Sequence, residues 1–93
     1  MRDDCSATKA YEAVQLEMAQ YLSAPSTAIY QPWERVANRP VPSACIINVE
    51  GYLESQNGFG AMTKTAFRAS VLKTKEGEYS ARILGINGRL PGL

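Results

Sequence analysis

From Asp4 to Leu22 the apolar residues Ala7, Ala10, Tyr11, Val14, Met18, Tyr21 and Leu22 return at steps of three and four, while Glu12, Gln15 and Gln20 fall off that line. That period predicts one helix over about residues 4–22 with a single buried stripe. Asp4 or Ser6 is placed to accept the first free amides, and Asp3 and Asp4 suit the positive end of the helix dipole. Ser23 to Pro25 ends the helix, because the residue before a proline is driven out of the helical region.

The next stretch, 26–42, holds Pro32, Pro40 and Pro42 and keeps no period. It reads as irregular, with Trp33 to Ala37 as a short edge strand and Trp33 packed under the sheet. From Ala44 to Glu54 the chain alternates, with Ile47, Val49, Gly51 and Leu53 on one side and Ile46, Asn48, Glu50 and Tyr52 on the other. After a Ser55 to Gly60 connection, Thr63 to Leu72 alternates again, Phe67, Ala69 and Val71 inward and Lys64, Arg68 and Ser70 outward. A turn at Lys75 to Glu78 leads to Tyr79–Ile86, with Tyr79, Ala81 and Ile83 inward and Ser80, Arg82 and Leu84 outward. The expectation is one α+β domain over residues 1–93: helix about 4–22, irregular segment or short edge strand 26–42, antiparallel meander 44–86, loose tail 87–93. One N-terminal helix covers one face of a three- to four-stranded sheet, over Val49, Phe67 and Ile83.

A chain of 93 residues has room for one core. Its 45% apolar and 20% charged residues suit a folded domain and not a disordered one. The net charge is only +1, so an argument for nucleic acid needs a segregated patch. Charge is uneven: Asp3, Asp4, Glu12, Glu17 and Glu34 lie early, whereas Lys64, Arg68, Lys73, Lys75, Arg82 and Arg89 crowd the last third. No apolar run reaches the roughly 20 residues of a membrane helix, and MRDDCSATKA carries no signal-peptide core, which predicts a cytoplasmic protein without membrane contact. In that compartment Cys5 and Cys45 are expected as free thiols, although a bridge between them is conceivable.

The segments Leu22 to Ala28 (LSAPSTA) and Gly51 to Met62 (GYLESQNGFGAM), continuing through Lys64, Thr65 and Phe67, resemble a small α+β domain of uncharacterised bacterial lipoproteins and phage or prophage proteins. The Gln56, Asn57, Phe59 and Gly60 core is the more specific part. Members of that family often carry a secretion signal. The resemblance implies no enzymatic activity and supplies no catalytic residue.

With no histidine, Ser-His and Cys-His nucleophile systems are absent, and two cysteines with scattered carboxylates match no zinc spacing. Glu50 and Glu54 share a strand face but have no evident pocket, so they read as a solvated pair and not a glycosidase dyad. Tyr11, Met18, Tyr21 and Trp33 read as core. The glycines of Ser55 to Gly60 match no phosphate-binding fingerprint and serve the turn. Hairpin pairing without a bulge sets Lys64 opposite Tyr52, Arg68 opposite Asn48 and Arg82 opposite Arg68. Like charges facing across strands destabilise a sheet unless an anion covers them.

These residues lead to an expected non-enzymatic binding protein of phage type. Lys64, Arg68 and Arg82 meet acidic side chains or guide-RNA phosphates on a larger host protein or ribonucleoprotein, Phe59 serves as apolar anchor, and Asn48 and Tyr52 complete the surface. No cofactor or metal is expected. By analogy with phage relatives the sharpest form is an anti-CRISPR inhibitor blocking a nucleic-acid path. The alternatives are an envelope-associated module of the lipoprotein-like family and a free nucleic-acid-binding domain, against which the near-zero net charge argues.

Overall fold

The computed structural model describes residues 5–41 and 45–90. Helix α1 (Ala7–Met18) starts at Ser6, whose side chain accepts the Lys9 amide at 3.2 Å, and runs into a 3-10 turn at Ala19–Tyr21. Ser6 is thus the cap of the two candidates; Asp3 and Asp4 lie outside the described residues. The helix buries Ala10, Tyr11, Val14 and Met18. Tyr21, expected in the core, is 43% exposed, because the tighter turn rotates it off the stripe.

Five strands follow: β1 (Ala24–Tyr30), β2 (Ala37–Val41), β3 (Ile46–Gln56), β4 (Met62–Lys73) and β5 (Tyr79–Ile86). All pairings are antiparallel, in the order β1-β3-β4-β5, with β2 also on β3. The fold class is the one expected, an N-terminal helix on an antiparallel sheet, but with five strands in place of three to four. The additional strand pairing comes from the proline-containing stretch. β1 lies along the Leu53 to Gln56 end of β3 and β2 along the Ile46 to Glu50 end, so each takes half of one edge. Trp33–Arg35, expected as strand, is a 3-10 turn joining them. Pro25 and Pro40 are tolerated because both sit on strands at the sheet border, where a missing N–H is not needed by a second neighbour.

Where this split edge leaves β3 amides without a strand partner, side chains take over. The Gln56 amide donates to the Thr27 hydroxyl at 2.8 Å inside the irregularity of β1, and that hydroxyl donates to the Ala24 carbonyl at 2.6 Å. The Tyr52 amide donates to Gln31 Oε1 at 2.8 Å. Thr27 belongs to the PST segment, which gives that segment a physical role.

The core lies between the helix and the sheet face bearing Ile47, Val49, Leu53, Phe67, Ala69, Val71 and Ile83, the inward sets the alternation predicts. Helix α1 packs chiefly over β5 and β4. Further cover includes Val36, Tyr30 and Trp33, whose ring lies 5.2 Å from that of Tyr11. Cys5 and Cys45 form a disulfide with Cα atoms 5.6 Å apart, so the expectation of free thiols is overturned. The reason is topological. Ser6 donates to the Tyr79 hydroxyl at 2.7 Å at the start of β5, and Lys73 at the end of β4 donates to the Cys45 carbonyl at 3.2 Å, so one end of the sheet gathers both cysteines.

The tail is tied down through Arg89. Asn87 and Gly88 both have positive φ, 52° and 79°, and form a tight turn that returns Arg89 to bond Ile86 at 2.7 and 3.0 Å. Asn87 also holds Ala66 of β4 through its amide and its Oδ1, at 2.8 and 2.9 Å. Residues 91–93 of the expected loose tail lie outside the described residues.

A candidate binding surface on the helix-free face of the sheet

Alternation leaves the second sheet face to the outward residues, and the pairing registers sort these into rows across the strands. Arg39, Asn48, Ser70 and Arg82 form one row through β2, β3, β4 and β5. Ala37, Glu50, Arg68 and Gly85 form the next, then Tyr52 with Ala66, then Ile29, Glu54 and Lys64.

The register differs by two residues from the expected one. Lys64 faces Glu54, not Tyr52; Arg68 faces Glu50, not Asn48; and Arg82 faces Ser70, not Arg68. No pair of arginines is cross-strand, so the like-charge argument does not stand. Each hairpin loop sets its own register: between β4 and β5 the Thr74 amide bonds the Glu78 carbonyl at 2.7 Å and Gly77 takes φ 89°, and between β3 and β4 the loop is of the same kind. β3 runs on to Gln56 and β4 begins at Met62, with the Asn57 amide bonded to the Ala61 carbonyl at 2.8 Å and Gly60 to the Asn57 carbonyl at 3.0 Å. Asn57 Oδ1 accepts the Phe59 and Ala61 amides at 2.8 and 3.1 Å, and Gly60 takes φ 82°. This is a type I turn closed by a left-handed glycine, the standard three-residue hairpin loop. It fixes the register and presents Phe59 at its apex, 97% exposed.

Charge on this face is positive where the strands carry Arg39, Lys64, Arg68 and Arg82 against Glu50 and Glu54. Although Glu50 and Glu54 stand across from Arg68 and Lys64, neither pair closes to an ion pair among the described residues. Lys64 Nζ instead sits 4.4 Å from the centre of the Tyr52 ring. Arg68 lies over Gly85, its Nη2 3.4 Å from where a β-carbon there would stand. β5 has an irregularity opposite the Arg68 to Ala69 step, and such bulges re-aim the neighbouring side chain.

The six residues expected to bind a partner therefore share one side of the molecule, five on the sheet face and Phe59 at the tip of its longest hairpin. Arg39 and Arg35 were not singled out from the sequence, because the 26–42 stretch gave no strand alternation to place them. Exposed Ile29, Tyr52 and Met62 add apolar area toward the hairpin tip. Among the described residues no three His, Cys, Asp or Glu side chains come together, and no helix is long and apolar enough to cross a membrane. Compared with protein-family models, curated proteins and solved structures, the chain matches none.

Proposed function

We propose that the chain is a non-enzymatic binding module that engages a larger acidic partner through the helix-free face of its sheet, in an oxidising compartment such as the bacterial cell envelope. The observation that carries the reading is the row Arg39, Asn48, Ser70 and Arg82 with Arg68 beside it, a polar face with excess positive charge spanning four strands. Such a face favours partners of opposite potential and orients them. The Cys5–Cys45 bridge supports the compartment, since structural disulfides persist where thiols are not kept reduced. This is the envelope-module alternative, now favoured over a phage inhibitor in host cytoplasm.

The same arginines also suit guide-RNA phosphates, so the anti-CRISPR reading is the second one, and the redox state separates the two. Affinity capture on the full chain tests the face: Arg68→Glu with Arg82→Glu should release the partner, and full retention would sink the proposal. Thiol alkylation without prior reduction, on protein taken directly from its native cells, should leave both cysteines unmodified. Two reactive thiols would favour the cytoplasmic reading.

A further inference from the structure

A cleft of about 370 Å³ opens on this face where β1 gives way to β2, between Gln31, Arg35, Glu50, Tyr52, Arg68 and Gly85. Its volume lies within the range of small-molecule sites, roughly 300–1,000 Å³. The donors outnumber the acceptors. Arg35 and Arg68 contribute guanidinium groups that close no ion pair among the described residues, and Gln31 spends its Oε1 on the Tyr52 amide, which leaves its NH₂ group to donate. The planar fork of a guanidinium matches a carboxylate.

Glu50 narrows the choice. A carboxylate in the same cleft repels multiply charged anions but accepts hydrogen bonds from hydroxyl groups. Tyr52 supplies an apolar ring wall. One negative charge, several hydroxyl donors and a C–H face together describe a sugar acid. We infer that the cleft is a uronate-binding site, with Arg68 on the carboxylate, Glu50 on ring hydroxyls and Tyr52 against the ring's apolar face. This rests on the proposed role of the sheet face and names the chemistry of the partner as an acidic saccharide.

The test is an amide NMR titration of the full, oxidised chain with D-glucuronate, with D-glucose and inorganic phosphate as comparisons. Glucuronate should move the Gly51, Tyr52 and Gly85 amides saturably, and glucose and phosphate should bind at least about tenfold more weakly, as loss of one charge-assisted hydrogen bond implies. Arg68→Gln should weaken glucuronate about tenfold, whereas Lys75→Gln, in the exposed turn between β4 and β5 and outside the cleft, should leave it unchanged. Glu50→Gln should strengthen phosphate relative to glucuronate. Absence of saturable shifts in the unaltered chain, or phosphate equalling glucuronate, would overturn the inference whether or not a variant folds. If the captured partner still depends on Arg68 and Arg82 while glucuronate fails, the binding-face proposal stands and the uronate assignment alone falls.

Discussion

Gln31 pairs with Tyr52 twice without belonging to a strand: its main-chain amide donates to the Tyr52 carbonyl at 3.1 Å, and its side-chain Oε1 accepts the Tyr52 amide at 2.8 Å. One residue thereby stands in for the missing strand neighbour at the point where β1 stops and the chain departs toward β2.

The close approach of Gln31 depends on Gly51. A β-carbon there would meet Gln31 Oε1 at 3.1 Å and the Phe67 and Val36 side chains at 3.3 Å, and the last two are buried. Gly51→Ala should cost about 1–3 kcal/mol, the usual range for overpacking. Gln31→Ala should cost less, about 0.5–1.5 kcal/mol, because water can reach the freed Tyr52 amide. Gly85→Ala is the control: its β-carbon would stand 3.4 Å or more from every neighbour, so stability should change little. Urea unfolding of the three variants checks the order, and a Gly85→Ala loss equal to that of Gly51→Ala would contradict it.

The Cys5–Cys45 bridge closes a loop with a sequence separation of 40. The chain-entropy relation gives about 4 kcal/mol for a loop of that length. A domain of this size has roughly 5–10 kcal/mol in total. Replacing both cysteines by serine should therefore remove a large share of the stability, read as a lower urea midpoint. An unchanged midpoint in the double variant would show that the helix holds its place without the bridge.

How much of this was readable in advance depends on which residues are asked. The helical stripe and the inward sets Ile47 to Leu53 and Phe67 to Val71 follow from period alone, since burial on one face imposes it. β1 and β2 did not, because Pro25, Pro32 and Pro40 punctuate the segment and because side chains of Thr27 and Gln31 replace ladder bonds that leave no trace in a hydrophobic pattern. The register was missed although a signal was present: Asn57, then Gly60 three positions on, is the signature of the tight loop that pairs Asn57 with Ala61. That misreading moved the expected partners of Lys64 and Arg68 by two residues, and the Thr74 to Glu78 turn moved that of Arg82 by as much. The disulfide was hidden by an argument from compartment that the topology overrides.

The loop that sets this register also separates structure from binding. Asn57→Ala removes both side-chain acceptor bonds, to Phe59 and Ala61, and should cost about 1 kcal/mol. Phe59→Ala should change stability by less than about 0.5 kcal/mol, since its ring touches water on nearly all sides. If Phe59 anchors the partner, that same variant should weaken capture. A Phe59→Ala loss of stability comparable to that of Asn57→Ala would mean the ring serves the fold instead.

Tyr11 and Tyr30 give the fold an alkaline limit. Burial pushes both phenols above their ordinary value of 10.0; at Tyr11 the neighbouring Tyr30 adds to this and the side chain of Gln15 opposes it. Both hydroxyls also donate to carbonyls, Tyr11 to Gln31 at 2.7 Å and Tyr30 to Gln15 at 3.3 Å, which ionisation would forbid. In the unfolded chain the phenols lose their protons near pH 10, in the folded chain later. Above about pH 10 the unfolded state thus binds fewer protons than the folded state, and stability falls as pH rises. Below the unfolded value both states keep their phenols protonated, so the contribution is fully present. It is lost as pH climbs to and through the folded values. Urea midpoints measured from neutral pH upward should hold level and then decline from about pH 10, in step with phenolate absorbance. Tyr11→Phe and Tyr30→Phe should each flatten the decline, and an identical slope in both variants would assign the alkaline loss to other groups.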